Sequence, residues 1–429
     1  MAAQARVVIV GGGFGGVETA RRLEKLTGDG TEIVLVNPEN YMLYTPLLPE
    51  VASGVIQPRN VGVPLRKILR RTRVLVGETT HVDVDGKAIS FQPPEGPERL
   101  VAWDRLVLAP GSISRMFPIP GLAEHGYGFK NLAQAVFVRN HVIQQLELAD
   151  AAEDVAERRC RAAFVVVGAG YAGTELIAEL QSMVRRALRN YPRLRPDDVR
   201  FVLADVAPVV LPELGADLGR RALGILRRRG IDIRLKTTVE EVGEDWVKLS
   251  DGELISTRTF VWTAGVTPDP LIAKTGLPTT PQGRLVCDAY TRVKDHDDVF
   301  GLGDSAAIPD PDDPGKPTPP TAQYAVRQGK TCARAVAASL GIGAPAPYAY
   351  RGLGLLVSLA DSQAVCRVLG RPLSGRLAFL LTRGYHLAVL PTFGRKLRVL
   401  NDWTLAAGGP PDIAELGSLG GSGPLHTER

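Results

Sequence analysis

The chain of 429 residues is too long for one ordinary hydrophobic core, so we expect two or three domains. Its 45% hydrophobic and 23% charged residues are typical of a globular protein, and its formal charge is only +5. The four cysteines include no C-x-x-C pair, which argues against a metal or thioredoxin-like motif and fits a reducing compartment. We expect no signal peptide and no membrane span, and therefore an intracellular protein that is soluble or attached to a surface.

The first predicted element is a strand–helix–strand unit over residues 6–36, which contains the segment VVIVGGGFGGVETARRL. Gly11, Gly13 and Gly16 form the pattern G-x-G-x-x-G between strand and helix. In such a turn the first glycine allows a tight bend, the second lets the backbone approach a pyrophosphate, and the third lets the helix pack closely. The residue at the end of the second strand contacts the ribose of the bound nucleotide. Here it is Asn37, whose side-chain amide carries no charge.

The chain then becomes irregular before a second helical region. Residues 40–66 contain four prolines and are predicted to be rich in loops. The stretch LVLAPGS at 106–112 predicts a buried strand that ends in a turn. A long helix is predicted from about Leu132 to Ala151.

A second strand–turn–helix unit repeats the theme with the segment FVVVGAGYAGTELIAEL. Its glycines are Gly168, Gly170 and Gly173. Two such motifs in matching contexts predict two dinucleotide sites on one polypeptide. The alternative for both motifs is close helix packing without a ligand.

Asp205 closes the second strand of this unit. A carboxylate at that position accepts a hydrogen bond from a ribose 2′-hydroxyl and repels a 2′-phosphate, so Asp205 favours NADH over NADPH. Arg200 lies nearby but precedes the strand, so it opposes this interpretation only weakly. The alternative is that Asp205 is an ordinary solvated residue at a strand end.

The remaining elements resemble those of the first half. The predicted elements, in chain order, are strands at 231–235, 246–249 and 259–266, a strand and acidic turn at 298–306, a proline-dense loop at 308–321 and a helix at about 322–340. The last twenty residues are rich in Gly and Ser, and we expect them to be disordered.

Together these segments resemble the two-dinucleotide-binding flavoproteins, and within that class the type II NADH:quinone oxidoreductases. The stretches that carry the resemblance are VVIVGGGFGG, NYMLYTPLLPEVASG, VVVGAGYAGTELIAEL, PPTAQYAVRQGK and VFGLGDSA, which are spread over residues 6–340. The resemblance implies an α/β fold with two Rossmann-like domains, one for FAD and one for NADH. It also implies a C-terminal α/β region for membrane association or dimerisation.

The domain boundaries predicted on this basis interleave the two nucleotide domains. They are 1–125 for the first part of the FAD domain, 126–160 for a connecting helix and linker, 161–283 for the NAD domain, 284–345 for the second part of the FAD domain, and 346–429 for the C-terminal region with its disordered tail.

The resemblance also implies a set of site residues. The expected cofactor contacts are Gly11, Gly13, Gly16, Asn37, Thr45, Pro46, Ala109, Gly111, Gly303 and Asp304, with Gly168, Gly170, Gly173, Asp205 and Gly265. Glu175 would lie near the nicotinamide and the flavin, and Gln323 and Gln328 match the family's quinone-pocket glutamines. The two glutamines lie five apart, so they do not share one helical face, and one of them can pack elsewhere.

One of these residues has a simpler alternative role, and two positions depart from the family's usual pattern. Glu175 could serve only as a charge that stabilises a helix N-terminus, which is also how we interpret Glu18. Asn37 replaces the acidic residue usual in the family, so the contact with the FAD ribose is the weakest part of the assignment. Pro110 stands where threonine is more frequent and cannot donate a backbone hydrogen bond.

A basic and apolar segment lies near the C-terminus, over residues 367–405. Its basic residues are Arg367, Arg371, Arg376, Arg383, Arg395, Lys396 and Arg398, with no acidic residue up to Asn401. Leu, Phe and Trp residues lie between or just beyond them, and Pro391 should divide the segment into two short helices. This composition predicts contact with anionic lipid, with a dimer or core helix as the alternative. No recognition motif for nucleic acid accompanies the charge.

The leading hypothesis is an enzyme on the cytoplasmic face of the membrane that moves electrons from NADH through FAD to a quinone without pumping protons. A soluble NADH-dependent flavin reductase would be fully active without lipid and respond weakly to quinones. A disulfide or sulfide oxidoreductase needs cysteines at the flavin, and no redox pair follows the first unit. A redox-sensing flavoprotein would bind NADH without steady turnover. In each of the enzyme hypotheses, the cofactors perform the electron transfer and the protein orients them.

Overall fold

Runs of Val, Ile and Leu form two parallel five-stranded sheets, because strands covered on both faces have no polar side to expose. The computed structural model describes residues 4–350, 354–368 and 370–416. From edge to edge, the first sheet consists of Val299–Gly301, Arg105–Leu108, Ala5–Val10, Thr31–Asn37 and Arg73–Val76. The second consists of Tyr127–Gly128, Thr259–Trp262, Ala163–Val167, Arg200–Asp205 and Ile231–Leu235.

Both sheets reverse their strand order at a glycine motif. The strand that precedes each motif lies inside its sheet, between the next strand of the chain and a strand from much later. In open α/β sheets, ligands bind in the crevice outside the carboxyl ends of the strands at such a reversal. The two motifs therefore occupy equivalent and favourable positions, and the predicted pair of Rossmann-like folds is confirmed.

Smaller sheets complete the structure, and those named here are antiparallel except for the parallel pair of Leu285–Val286 and Ala306–Ala307. Three sheets have three strands: Glu78–Asp83 with Ala88–Gln92 and Arg99–Ala102, Val239–Val242 with Trp246–Leu249 and Leu254–Ser256, and Gly354–Ser358 with Ala364–Val368 and Arg371–Ser374. Two-stranded pairs are Tyr41–Leu43 with Gly62–Pro64, Ser112–Ser114 with Val266–Pro268, Leu285–Val286 with Ala306–Ala307, and Pro309–Asp310 with Asp313–Pro317. The pair Ser112–Ser114 and Val266–Pro268 joins the two nucleotide domains directly.

The α-helices of the described residues are α1 to α13. Their bounds are α1 Phe14–Leu26, α2 Leu48–Ala52, α3 Pro58–Val61, α4 Leu65–Ile68, α5 Leu122–His125, α6 Leu132–Ala151, α7 Val155–Arg161, α8 Tyr171–Ala187, α9 Ala216–Arg228, α10 Pro270–Lys274, α11 Ala322–Ser339, α12 Arg376–Val389 and α13 Phe393–Gly408. None of these helices combines the length and the apolar character that crossing a bilayer requires.

Most predicted helices and strands are present within a residue or two. The segment 40–66, predicted to be rich in loops, instead contains the short helices α2 and α3 and a pair of short strands, and the strand predicted at 259–266 ends at Trp262. The long helix α6 has the predicted bounds, and Pro391 separates α12 from α13 as expected. The proline-dense segment 308–321 was predicted as a loop, but part of it forms the ribbon of Pro309–Asp310 and Asp313–Pro317. Both strands of such a ribbon are edges, where proline's missing N–H is tolerated. The predicted disordered tail largely falls on residues 417–429, outside the described residues, and the domain boundaries stay a prediction.

Helices α1 and α11 pack through glycines that let their backbones approach. A Cβ at Gly329 would lie 2.6 Å from the backbone oxygen of Gly15 and 3.2 Å from the nitrogen of Thr19. The Thr19 hydroxyl also lies 3.3 Å from the Gly329 oxygen. This contact fixes α11 against the helix that follows the first glycine motif.

We predict that Gly329→Ala destabilises the protein by about 1–3 kcal/mol, because backbone atoms cannot move aside as a flexible side chain could. Gly384→Ala is the matched control, since a Cβ there meets nothing within 4 Å in the middle of α12. The control should be neutral or stabilising by up to about 1 kcal/mol. Thermal unfolding followed by circular dichroism checks both, and equal melting temperatures for the two variants would contradict the prediction.

Candidate active site

The two glycine turns have the same geometry. A Cβ at Gly16 would lie 2.0 Å from the Gly11 oxygen, and a Cβ at Gly173 would lie 1.9 Å from the Gly168 oxygen. The middle glycines, Gly13 and Gly170, have nothing within 4 Å. The outer glycines of each motif are thus required by packing within the protein, whereas the middle glycine faces open space.

The helices that start at these turns are open to a ligand. Both α1 and α8 begin directly after the middle glycine, with no side-chain cap and no acidic residue in the first turn. Their first N–H groups and the positive end of each helix dipole are therefore available to an anion. A pyrophosphate fits both positions, as it does at the helix N-termini of dinucleotide-binding folds.

The two residues that close the second strands hold the glycine turns in place. The side-chain oxygen of Asn37 accepts from the Gly12 N–H at 2.6 Å, while its amide nitrogen donates to the Glu39 oxygen at 2.8 Å. In the second unit the Asp205 carboxylate accepts from the N–H of Ala169, and from the N–H of Ala207 at 2.6 Å. Asn37 and Asp205 are therefore structural equivalents, although only Asp205 carries a charge.

Arg200 lies away from the second nucleotide site. One of its terminal nitrogens lies 2.8 Å from a carboxylate oxygen of both Asp232 and Glu253. A guanidinium engaged at the start of the strand is not available to a ribose phosphate at its end. The positive charge of Arg200, which opposed a preference for NADH, is therefore engaged in ion pairs and not in nucleotide binding.

The acidic turn after Val299–Gly301 lies beside the end of the neighbouring strand. Asp304 accepts from the Ser112 hydroxyl at 2.5 Å and lies 3.8 Å from the ammonium of Lys130. The Gly111 N–H donates to the Ser305 hydroxyl at 3.0 Å. The predicted pair Gly111 and Asp304 is therefore brought together at the carboxyl edge of the first sheet. Ala109 packs there as well, since its oxygen is the atom nearest to a Cβ built on Gly11.

Two other glycines that were predicted to contact a cofactor also have a positive φ. Gly303 has φ +73° and Gly265 has φ +81°, a left-handed conformation that glycine adopts at little cost. Gly265 is next to Val266, where the ribbon between the two nucleotide domains begins.

A mostly apolar cavity of about 420 Å³ lies where the two domains and the C-terminal region meet. The sequence-predicted residues on its wall are Thr45, Pro46, Glu175 and Gln323. Further wall residues come from α1, from the start of α8, from the start of α11 and from α12. Predicted residues that are up to 278 positions apart in the sequence, from Thr45 to Gln323, thus lie on the wall of one cavity.

The two glutamines of α11 have different surroundings. Gln323 lines the cavity, and its side-chain oxygen accepts from the Tyr350 hydroxyl at 3.0 Å. Gln328 is buried and does not line the cavity: its oxygen accepts from the Gly303 N–H and its nitrogen donates to the Thr318 hydroxyl, both at 2.8 Å. Gln328 holds the acidic turn against α11, so only Gln323 can meet a ligand in the cavity directly.

Glu175 lies on the cavity wall at the start of α8. One carboxylate oxygen accepts from the Ser358 N–H at 2.8 Å. Burial raises the pKa of Glu175 well above its usual range, and the nearby Glu50 and Glu179 raise it further, against the lowering effect of that hydrogen bond. A raised pKa favours the protonated carboxyl group, which can donate a hydrogen bond to a ligand, whereas a charge that stabilises a helix terminus acts as a carboxylate.

Sequence reasoning missed a hydrogen-bonded pair on the same wall. The Tyr44 hydroxyl lies 3.0 Å from Nδ1 of His386, and both residues line the cavity. Burial lowers the pKa of His386 to about 4, so its imidazole is neutral at physiological pH. No spacing in the sequence connects Tyr44, in the segment 40–66, with a histidine of α12, so only the fold could reveal the pair.

The cysteines lie outside the cavity wall. Cys160, Cys287, Cys332 and Cys366 are all buried and free, and none of them lines the cavity. The described site therefore holds no cysteine pair that could exchange with a disulfide substrate.

Two nucleotide-binding folds that open on one apolar cavity define the two-dinucleotide-binding oxidoreductases. Residues 5–329 match the family described as pyridine nucleotide-disulphide oxidoreductase. The type II NADH:quinone oxidoreductase Ndh of Mycobacterium tuberculosis is 31% identical to the chain, over 93% of this chain and 87% of that protein. The demethylphylloquinone reductase NdbB of Synechocystis is 32% identical, over 94% of this chain and 96% of that protein.

A solved structure shows the same fold at lower identity. NDH2 from Plasmodium falciparum, in complex with NADH, superposes with a TM-score of 0.86 at 18% identity, covering 96% of this chain and all of that one. The chain belongs to the pyridine nucleotide-disulphide oxidoreductase family and, within it, to the type II NADH:quinone oxidoreductases.

We predict that alanine at each of the two middle glycines weakens the binding of a different cofactor. Gly13→Ala should fold, because its Cβ meets no protein atom, but should lose bound flavin. Gly170→Ala should keep its flavin and bind NADH at least about tenfold more weakly, since a Cβ there obstructs the second pyrophosphate. The flavin absorbance of the purified proteins and a titration with NADH measure these effects. Loss of flavin from both variants, or from neither, would contradict the assignment of the two sites.

Proposed function

We propose that this chain oxidises NADH and reduces a quinone, with FAD bound at the first glycine turn and NADH at the second. The observation that carries the proposal is the shared cavity between two open helix N-termini. Bound FAD would supply a carrier that accepts two electrons from NADH and delivers them to the quinone. The similarity to the M. tuberculosis and Synechocystis enzymes supports a quinone as the acceptor.

The residues of the chain would orient the reactants and exclude water. Gly11, Gly13, Gly16 and the Asn37 position would hold FAD, with Thr45, Pro46, Ala109, Gly111, Gly303 and Asp304 around it. Gly168, Gly170, Gly173, Asp205 and Gly265 would hold NADH. In the cavity, Glu175 would hold a proton, and Gln323 would donate its amide to the quinone. Gln328 would act by keeping the Gly303 turn in position.

A spectrum of the purified protein followed by additions of NADH and a quinone tests this function. We expect a flavin spectrum that bleaches when NADH is added and returns when a short-chain quinone follows, with steady NADH oxidation. A soluble flavin reductase would bleach but respond weakly to the quinone. A redox sensor would bleach once without turnover. A colourless protein that takes up no flavin would end the proposal.

We infer that the C-terminal helices attach the enzyme to the cytoplasmic face of a membrane. The apolar side chains exposed on α12 and α13, called here the docking face, are Leu377, Leu380, Leu381, Val389, Phe393, Leu397, Leu400 and Leu405. Val389 belongs both to this face and to the cavity wall. A quinone dissolved in lipid would therefore find the cavity next to the surface that meets the bilayer.

Five of the seven basic residues of the segment divide into two groups. Arg371, Arg376 and Arg398 are exposed and can meet anionic headgroups. Arg367 instead lies 2.7 Å from Asp217, and Arg383 stacks between Phe379 and Trp403. Part of the charge that suggested lipid binding thus stabilises the fold.

The double variant Leu380→Glu with Phe393→Glu tests the docking face. Phe393 is 81% and Leu380 66% exposed, so both changes should leave the fold intact. We expect binding to vesicles containing phosphatidylglycerol to fall at least about tenfold, because each apolar side chain contributes about 1.5–3 kcal/mol when buried. Co-sedimentation with vesicles measures the binding.

Leu100→Glu is the control, since Leu100 is 76% exposed on the sheet of Glu78–Asp83, far from the C-terminal helices in the sequence. It should bind vesicles like the unmodified protein. If the double variant keeps vesicle binding but changes from a dimer to a monomer in light scattering, the face is a dimer interface instead.

A further inference from the structure

Tyr44 and His386, from distant segments of the chain, share one hydrogen bond on the wall of the larger cavity. The Tyr44 hydroxyl lies 3.0 Å from Nδ1 of His386, and both side chains line the cavity of about 420 Å³. The two rings also meet edge to face, with centroids 5.9 Å apart and planes at 83°. Ring packing and the hydrogen bond therefore fix the same contact.

Packing on both sides holds the two rings in this geometry. Phe14, the first residue of α1 after Gly13, packs edge to face on Tyr44 with centroids 5.6 Å apart. Tyr385 packs on His386 in the same way, also with centroids 5.6 Å apart. Because neither ring can turn without disturbing a neighbour, the pair presents a fixed set of atoms to the cavity.

The two members of the pair differ in their access to the cavity. Tyr44 is only 3% exposed, whereas His386 is partly exposed. Burial raises the pKa of Tyr44 and lowers the pKa of His386 to about 4, so at neutral pH the phenol keeps its proton and the imidazole is uncharged. His386 is therefore the member that can touch a ligand, and Tyr44 stands behind it.

The hydrogen bond determines which nitrogen of the imidazole carries the proton. A neutral imidazole has one N–H, and the bond made by one nitrogen decides the state of the other. A phenol donates better than an imidazole N–H, so we expect the Tyr44 hydroxyl to donate to Nδ1 and the proton of His386 to lie on Nε2. Among the described residues Nε2 has no hydrogen-bond partner, and it is not fully enclosed by protein. One neutral donor is thus left for the cavity.

His386 lies one helical turn inside the rim of the cavity. Val389, three residues further along α12, lines the cavity and is 44% exposed on the docking face. Residues three apart on a helix are neighbours on one face, with Cβ atoms about 5–6 Å apart. A ligand that enters past Val389 and leaves its apolar tail in lipid would bring its first polar atom to His386.

A quinone offers two such polar atoms. Both carbonyl oxygens need a donor once water is excluded, because an unpaired polar group is costly in an apolar cavity. The side-chain amide of Gln323, on α11, can serve one of them. Negative charge develops on these oxygens as the quinone is reduced, so a fixed donor stabilises the reacting state more than the bound quinone.

We propose that Nε2–H of His386 is the second hydrogen-bond donor to the quinone and binds the carbonyl oxygen nearest the apolar tail, an inference that rests on the proposed function. Tyr44 is a positioning residue that acts through His386, because its hydroxyl holds the imidazole in the tautomer with the proton on Nε2. His386 keeps its proton in this role: it binds and orients the quinone.

Two substitutions at His386 test the donor. His386→Leu removes both ring nitrogens at a similar volume, whereas His386→Gln keeps an N–H near the position of Nε2. We expect kcat/KM with a short-chain quinone to fall about tenfold or more in His386→Leu and to stay within about threefold in His386→Gln. Reduction of ferricyanide, which takes only electrons, and the rate of flavin bleaching by NADH should be unchanged in both variants.

Tyr44→Phe tests the positioning role. It removes the partner hydroxyl and leaves the imidazole free to adopt either tautomer, so kcat/KM with the quinone should fall about two- to fivefold, less than in His386→Leu. Tyr41→Phe is the matched control, because it removes a hydroxyl three residues away that does not line the cavity. The control should reduce the quinone like the unmodified protein.

Nitrogen-15 NMR of histidine-labelled protein gives a readout that needs no turnover. The chain has six histidines, so the signals of His386 can be identified by their loss in His386→Gln. At neutral pH we expect an uncharged imidazole with its proton on Nε2, and a mixture of both tautomers in Tyr44→Phe. Adding the short-chain quinone to the oxidised protein, without NADH, should shift the Nε2–H signal.

Three results would overturn the role of His386: an unchanged quinone kcat/KM in His386→Leu, a proton on Nδ1 in the unmodified protein, or no shift of the signal with the quinone. Equal losses of quinone and ferricyanide reduction would show a structural role and overturn it as well. If the unmodified protein reduces ferricyanide but no quinone, the proposed function itself fails. If the unmodified protein and His386→Leu reduce the quinone equally well, only the role of His386 fails.

Discussion

Backbone packed directly on backbone at the two glycine turns is the constraint from which the rest of the structure follows. In each turn the helix rests on the carbonyl oxygen of the first glycine, with no room for a single carbon atom between them. This contact places the N-termini of α1 and α8 at the carboxyl edges of their sheets. The strand-end residues Asn37 and Asp205 then fix both turns from the other side. Two positive helix ends consequently face open space at equivalent positions.

The C-terminal region completes the site from a distance in the sequence. Asp402 accepts from the side chain of Asn60 at 2.6 Å, and Trp403 donates to Glu50, so α13 is held against α3 and α2. The hydrogen bond between Tyr44 and His386 holds α12 against the segment that precedes α2. These bonds place the docking face beside the cavity. The proposed docking face and the entrance to the cavity therefore belong to one structural unit.

Buried carboxyl groups are costly, and their retention here is best understood through chemistry. Removing a charge from water costs several kcal/mol unless it is paired or neutralised by a proton. Glu50, Glu175 and Glu179 meet only part of this need through Arg229 and Arg383. Clusters of acids with perturbed pKa values are typical of functional sites.

Much of the fold could be predicted from local sequence. The glycine motifs and the division of the C-terminal segment at Pro391 depend on residues close together in the chain, where φ and ψ are set by spacing. The strand-end residues Asn37 and Asp205 could be located because each follows its motif within one strand–helix–strand unit. The five-residue separation of Gln323 and Gln328 predicted different surroundings, but not which of them faces the cavity.

The tertiary structure alone decided the rest. It assigned Gln328 to the Gly303 turn, paired Tyr44 with His386, removed Arg200 from the nucleotide site and brought Glu50 to Glu179. Each of these outcomes depends on which faces of distant helices meet. Nothing local determines that, because it follows from the packing of the whole core.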